Sequence, residues 1–157
     1  MPDTPVLPSL LERTVASLQN DGRLVKTDWD LETFDVLATR DGAENVLGVA
    51  KPSTGTVVFY YVWPKVIAHE YVSLMLEFVA RANCDLYTSA FEFDPDSGIV
   101  SVRAGAEIGN DSVNRDAESA FLINALDEVE RAGALYDSVV RAVGSGNMSA
   151  IQAASSI

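Results

Sequence analysis

The sequence predicts a single α+β domain over residues 1–157, in which an antiparallel sheet is flanked by helices in the order α-β-β-β(-β)-α-β-β-α. Strand-like segments are joined by short turn sequences, whereas parallel neighbours need crossover connections of a dozen or more residues. Helical hydrophobic spacing occurs at the beginning, in the middle and at the end of the chain. The 157 residues, 48% of them hydrophobic, are enough for one buried core.

The first helix is predicted to begin near Ser9, because Ser9 and Glu12 form the S-x-x-E pattern of a capping box. Gly22 is placed to end the helix with a left-handed cap. Residues 1–8 are expected to be flexible. Apolar side chains recur at helical spacing and mark one buried stripe, at Leu7, Leu10, Leu11, Val15 and Leu18.

Three or four antiparallel strands are predicted to follow this helix. Asp41 and Gly42 indicate a tight hairpin between two of them, because both residues tolerate a positive φ. The last strand is the strongest in the chain, since it is rich in β-branched and aromatic residues. The predicted strands cover residues 23–28, 33–40, 44–51 and 56–63.

A second helix is predicted directly after Pro64, which suits the first turn of a helix but not its interior. Two further strands at 86–93 and 99–104 form a hairpin around the turn residues 94–98. A polar loop at 105–114 then leads to the last long helix. The stripe of the second helix consists of Ile67, Tyr71, Leu74, Met75, Phe78, Val79 and Ala82. The last helix carries Leu122, Leu126, Val129, Gly133, Tyr136 and Val140 on one face.

The end of the chain is predicted to be irregular. The Gly-Ser-Gly sequence at 144–146 stops the last long helix. Residues 148–157 then form either a short helical turn or a flexible tail.

The charge balance points away from nucleic acid and from anionic membranes. The chain carries 11 Lys and Arg against 23 Asp and Glu, a net charge of −12, and it has no basic cluster to neutralise phosphates. Such acidity favours a basic protein partner, although solubility alone also explains it. The longest apolar run has seven residues, at 57–63, against about 20 for a membrane helix. Because its start also lacks a signal-peptide pattern, we expect a cytoplasmic protein.

The sequence offers no recognisable catalytic or metal-binding set. The chain has one His and one Cys, and it lacks a G-x-S-x-G nucleophile motif. His69 is predicted to lie on a helix as a solvated or ion-paired side chain, and Cys84 as a buried structural thiol. The Asp-rich segment at 94–98 does not fit a calcium loop, because position six is Ile99 instead of Gly. We therefore expect no enzymatic activity and no cofactor.

The strongest strand is apolar on both of its faces. Alternation sends Tyr60 and Val62 to one face and Phe59 and Tyr61 to the other. Leu47 and Val49 of the preceding strand alternate in the same manner. If helices cover only one face of the sheet, the other face leaves an apolar patch for a partner. We predict that the contact residues are Tyr60, Val62, Leu47 and Val49; helices covering both faces would instead bury them.

Several short motifs between residues 57 and 154 fit one family pattern. They are Trp63-Pro64, Ala82-Asn83, Phe91-Glu92-Phe93-Asp94, Gly98, Val100-Ser101-Val102-Arg103, Tyr136 and Val140. Through them residues 57–154 resemble the YbjN-like proteins, a bacterial family of proposed sensory-transduction regulators. The resemblance is a pattern of fold and carries no catalytic signature. It implies a type III secretion chaperone-like fold, which is a twisted antiparallel sheet with helices beside it, often dimeric.

Three functional hypotheses follow from these observations. The first, which the resemblance implies, is a non-enzymatic protein-binding module, a homodimeric chaperone-like or regulatory adaptor whose partner is an unidentified protein with a basic surface. The second is a small-molecule sensor or enzyme with a pocket between the sheet and helix 65–82, lined by Tyr71 and Phe78. The third is a structural subunit of a larger assembly.

Overall fold

The computed structural model describes residues 8–111 and 114–156, and it confirms the predicted α+β class. One six-stranded sheet has the order β1-β2-β3-β4-β6-β5, and every neighbouring pair is antiparallel. The strands are β1 Val25–Asp28, β2 Thr33–Val36, β3 Val46–Lys51, β4 Thr56–Val62, β5 Ala90–Asp94 and β6 Ile99–Glu107. The helices are α1 Leu10–Asn20, α2 Val72–Ala82, α3 Arg115–Gly144 and α4 Ala150–Ser155, with a 3-10 turn at His69–Tyr71.

Helix α1 begins where the capping box predicts. The Ser9 side chain accepts a hydrogen bond from the backbone N–H of Glu12, and the Glu12 carboxylate accepts one from the backbone N–H of Ser9. Gly22 follows the helix with a φ of +84°. The predicted apolar stripe is buried from Leu10 to Leu18, and Leu7 lies outside the described residues.

The connection between β2 and β3 is longer than the predicted tight hairpin. Val36 pairs directly with Val46, so residues 37–45 form the loop. Asp41 and Gly42 do make a turn, in which the Ala43 N–H bonds to the Arg40 carbonyl. The prediction was wrong about the flanking residues 37–40 and 44–45, which lie in a loop that faces α3 across a hollow.

Helix α2 starts later than predicted from Pro64. The segment after β4 is non-helical, bends at Pro64 and Lys65, and bonds to β6 and the turn before it, through Trp63 N–H to Val100 O and Ile67 N–H to Gly98 O. Ile67 is buried as expected, but from this segment and not from the helix. The local helical pattern could not reveal that these backbone bonds delay the helix to Val72.

Strand β6 continues beyond the predicted loop boundary at residue 105. Small residues extend its alternation, with Ala104 and Ala106 buried and Gly105 and Glu107 exposed. Helix α4 replaces part of the irregular end, and its Ser149 and Gln152 form a second capping box. Residues 150–155 therefore adopt the helical alternative of the two considered for the end of the chain.

The described helices pack on one face of the sheet. Helix α3 contacts β4 and β6, α2 contacts β5, and α1 contacts β1 and β3. Their buried side chains form a single core with the inward side chains of the strands, including Phe34, Phe59, Tyr61 and Val102. The opposite face of the sheet carries no helix within the described ranges.

An aromatic cluster fills the centre of this core. Trp63 stacks on Phe91 with ring centroids 5.7 Å apart, and Tyr61, Phe78 and Tyr136 meet these two rings edge to face. The Trp63 indole N–H also donates to Asp137 Oδ1 of α3 at 3.1 Å. These contacts hold α2 and α3 against the same face of the sheet.

Candidate protein-binding surface

The sheet face turned away from the helices is here called the open face, and its apolar centre lies on β3 and β4. Leu47 is paired with Tyr60 and Val49 with Val58, and directly paired residues point to the same side. Val62 follows Tyr60 on the same face. The structure thus brings together all four residues predicted from the sequence, Tyr60, Val62, Leu47 and Val49. Their role in binding stays a prediction.

The apolar centre is only partly accessible. Leu47 is the most exposed of the four predicted residues at 36%, while Val49, Tyr60 and Val62 are half-buried. Val58, which the sequence analysis did not single out as a contact, is 8% exposed. The centre therefore forms a shallow apolar stripe across the two middle strands of the sheet.

A charged pair borders the stripe on the β6 side. Arg103 lies directly beside Tyr60, and its side chain forms an ion pair with Glu92 of β5. Partial burial raises the pKa of the Tyr60 hydroxyl, Glu92 raises it further, and Arg103 opposes the rise. Tyr60 thus presents an apolar ring edged by charge, a residue type that is common at energetically important positions of interfaces.

Charges also border the stripe on the β2 side. Asp35 lies beside Leu47, and Lys26 of β1 lies beside Asp35. Lys26, Asp35 and Leu47 line a hollow of about 170 Å³. The sequence analysis missed these flanking residues, although the alternation of residues 33–36 could have placed Asp35 on the open face.

A second hollow, of about 260 Å³, lies between the β2–β3 loop and α3. Several of the groups around it already have partners. Asp137 binds Arg141 and the Trp63 indole, and Glu130 binds Arg23. Burial is the main cause that raises the pKa of the Tyr61 hydroxyl in its wall. The two α3 carboxylates that line the hollow, Asp137 and Glu130, are therefore already paired with groups outside the β2–β3 loop.

The two residues proposed to line a ligand pocket beside the second helix pack against the protein core instead. Phe78 is 0% exposed and meets the Phe91 ring edge to face at 5.5 Å. Tyr71 is half-buried, with its ring against Gly146. Both residues contribute to the core, so they give no support to a pocket at this place.

Neither His69 nor Cys84 belongs to a reactive group. His69 is exposed in the 3-10 turn. Cys84 is also exposed, so the prediction of a buried thiol was wrong. The chain turns outward after Asn83, the C-cap of α2, and this places Cys84 beyond the packed face of the helix. Within residues 8–111 and 114–156, no three His, Cys, Asp or Glu side chains are arranged to hold a metal ion.

The exposure of Cys84 gives a direct prediction. We expect the thiol to react completely with an aromatic disulfide reagent in the folded protein, because accessibility controls thiol reactivity along with the pKa. The released thiolate is measured by its absorbance. Denaturant should not increase the amount released, and a reaction that begins only in denaturant would show that the thiol is buried.

A six-stranded antiparallel sheet with helices on one face is a YbjN-like α+β fold. A solved structure of this class is the crystal structure of YbjN from E. coli, described as a proposed transcription regulator. The two structures agree with a TM-score of 0.61 over 86% of this chain and 96% of the other, at 12% sequence identity. This likeness shows the fold.

The other comparisons add no relative, since no family model and no curated protein matches the sequence. In the described part of the chain, none of the helices has the length and the apolar character needed to span a bilayer.

Proposed function

We propose that this protein is a non-enzymatic protein-binding module that acts as a regulatory or chaperone-like adaptor, and that the open face is its contact surface. The observation that carries the proposal is the apolar stripe at the centre of a sheet face on which none of the helices described for residues 8–111 and 114–156 lies. Sheets with one polar, solvated face are common, but here the middle of the outward face is apolar. Apolar surface of this kind, bordered by charged residues, is typical of protein–protein contacts.

Two further observations support the proposal. The structurally similar E. coli protein is described as a proposed transcription regulator, which agrees with a regulatory role. His69 and Cys84 are both exposed at the surface, which agrees with a binding role.

The charge of the chain favours one kind of partner. A net charge of −12 speeds encounters with basic surfaces and slows encounters with acidic ones. The adaptor would therefore bind a basic protein surface more readily than an acidic one, and this preference should weaken at high salt.

The proposal predicts that Tyr60→Asp weakens protein association at least about tenfold, because it places a charge in the apolar stripe. Tagged protein is recovered gently from its own cells, and native mass spectrometry identifies the chains bound to it. The dissociation constant of each recovered complex is then measured with purified components. Tyr87→Asp is the matched control, since Tyr87 is 95% exposed and lies outside the sheet.

A second variant guards against a loss of fold. Leu47→Asp changes a more exposed residue of the same stripe and should weaken the same complexes, with a circular dichroism spectrum like that of the wild type. Unchanged binding in both variants would refute the open face as the contact surface. A wild-type protein that carries a small molecule and no protein would favour the sensor hypothesis instead.

A further inference from the structure

We propose that the open face binds a second copy of this chain, through a two-fold axis that runs parallel to the strands between β3 and β4. The inference rests on the proposed function, because it names a second copy, in place of a basic client, as the occupant of the same surface. The net charge of −12 on each copy opposes the encounter at long range, whereas the contact itself depends on the local order of charges. The inference depends on the order of charges across the sheet. Rotation about this axis places negative side chains of one copy opposite positive side chains of the other.

The charges lie in a single cross-strand row. The sheet register places Tyr60 and Leu47 side by side at the middle of the row, with Arg103 next to Tyr60 and Asp35 next to Leu47. Since directly paired residues share a face, all four side chains point to the open side. The full row from β1 to β5 is Lys26, Asp35, Leu47, Tyr60, Arg103 and Ala90.

A two-fold axis between β3 and β4, parallel to the strands, reverses this row in the second copy. Leu47 then lies over Tyr60 of the second copy, and Asp35 lies over Arg103 of the second copy. Symmetry repeats each contact, so the interface has an apolar centre and an opposite-charge pair on both sides. Isologous contacts of this kind are the usual basis of homodimers.

Opposite charges also meet at the edges of the two sheets. Lys26 of one copy falls over Ala90 of the other, beside Glu92, which lies on the open face next to Ala90 in β5. The single cation of the β1 edge thus meets the carboxylate of the opposite edge. The ion pair that Glu92 makes with Arg103 within the chain places both groups near the contact.

The other in-plane axis is disfavoured by the same charges. An axis perpendicular to the strands along this row would place Arg103 over Arg103 and Asp35 over Asp35. Like charges facing each other across an interface oppose association. Charge order therefore selects the parallel axis over the perpendicular one.

The dimensions of packed sheets allow these contacts. Strands lie about 4.8 Å apart, so Asp35 and Arg103 are each about 7 Å from the axis on opposite sides. Packed sheets are about 10 Å apart, which a long Arg side chain can bridge toward a carboxylate. The 170 Å³ hollow beside Asp35 offers room for the Arg103 side chain of the second copy.

A charge-exchange experiment tests this geometry. Asp35→Arg and Arg103→Glu each create two like-charge contacts in a homodimer, so each variant alone should dimerise at least about tenfold more weakly than the wild type. An equimolar mixture restores both opposite-charge pairs in a heterodimer. Sedimentation velocity measures association, and native mass spectrometry separates the heterodimer from the homodimers by mass.

One control variant and one substitute variant complete the design. Glu77→Arg with Arg81→Glu inverts an exposed ion pair on α2 and should leave dimerisation unchanged. If Arg103→Glu unfolds beside Glu92, the double variant Arg103→Glu with Glu92→Gln removes the like-charge contact within the chain and replaces the single variant in the mixture.

The outcomes distinguish the inference from the proposed function. A 1:1 heterodimer from two monomeric variants supports the parallel two-fold axis. A wild-type monomer that still binds another protein through Tyr60 overturns the second copy as occupant and leaves the proposed function in place. A dimer that neither variant weakens, or a mixture that stays monomeric, overturns the inferred geometry.

Discussion

Replacing Arg13 by methionine is expected to lower the free energy of unfolding by about 3–5 kcal/mol, because it leaves a buried carboxylate without its cation. Arg13 of α1 and Glu118 of α3 form an ion pair with a 2.8 Å distance between Nε and Oε1. Both side chains are 6% exposed. Urea unfolding followed by circular dichroism measures the effect.

The size of this effect follows from how much Arg13 joins together. Its guanidinium also donates to the carbonyls of Pro8, Gly109 and Asn110, at 3.2, 2.7 and 2.8 Å respectively. It therefore ties the start of α1 and the first turn of α3 to the loop after β6. Loss of these donors leaves several acceptors unsatisfied in addition to the carboxylate of Glu118.

Two comparisons make the prediction specific. Arg81→Met breaks an exposed i,i+4 ion pair with Glu77 and should cost less than about 0.5 kcal/mol. The double variant Arg13→Met/Glu118→Met should be more stable than Arg13→Met alone, because no unpaired charge remains buried. If Arg13→Met were no more destabilising than Arg81→Met, the buried pair would have no structural role.

Replacing Gly133 by alanine is expected to destabilise the protein by about 1–3 kcal/mol, although alanine is the better helix former. A Cβ atom at Gly133 would lie 2.5 Å from Cγ and Cδ2 of Tyr61. The Tyr61 ring is 6% exposed and packs edge to face on Trp63, so it cannot move away without disturbing the core.

Gly144 of the same helix is the matched control. A Cβ atom there would lie 2.6 Å from Cδ1 of Ile67, the end of a flexible side chain that can change rotamer. Gly144→Ala should therefore change the stability by less than about 1 kcal/mol. Equal stability of the two variants in thermal unfolding would contradict a close approach of α3 to β4 at Gly133.

Local signals in the sequence predicted the elements of this fold well. The capping box placed the start of α1 at Ser9, and period-two alternation separated the two faces of β4. These features succeed because each depends on residues a few positions apart. The same alternation put Tyr60 with Val62 and Leu47 with Val49 before any packing was known, and the β3–β4 register places both pairs on one face.

Two of the errors occurred where distant segments overrule local preference. The helix pattern after Pro64 gave way to a non-helical segment that bonds to β6 and the turn before it, and the strand pattern at 37–40 gave way to a loop that faces α3 across a hollow. Both outcomes depend on partners far along the chain, which a short sequence window does not contain. Cys84 was expected in the core and lies at the surface, directly after the C-cap of α2.

The sequence by itself determined the class of fold, the antiparallel connections and the two faces of the strongest strand, because short turns and alternation are local properties. Only the tertiary structure decided that β6 lies between β4 and β5, which places Arg103 beside Tyr60. The tertiary structure also decided which face of the sheet the helices cover, because the alternation of residues along a strand is compatible with helices on either face. That choice follows from long-range packing, such as the fit of Gly133 on Tyr61, and it leaves the row from Lys26 to Arg103 open.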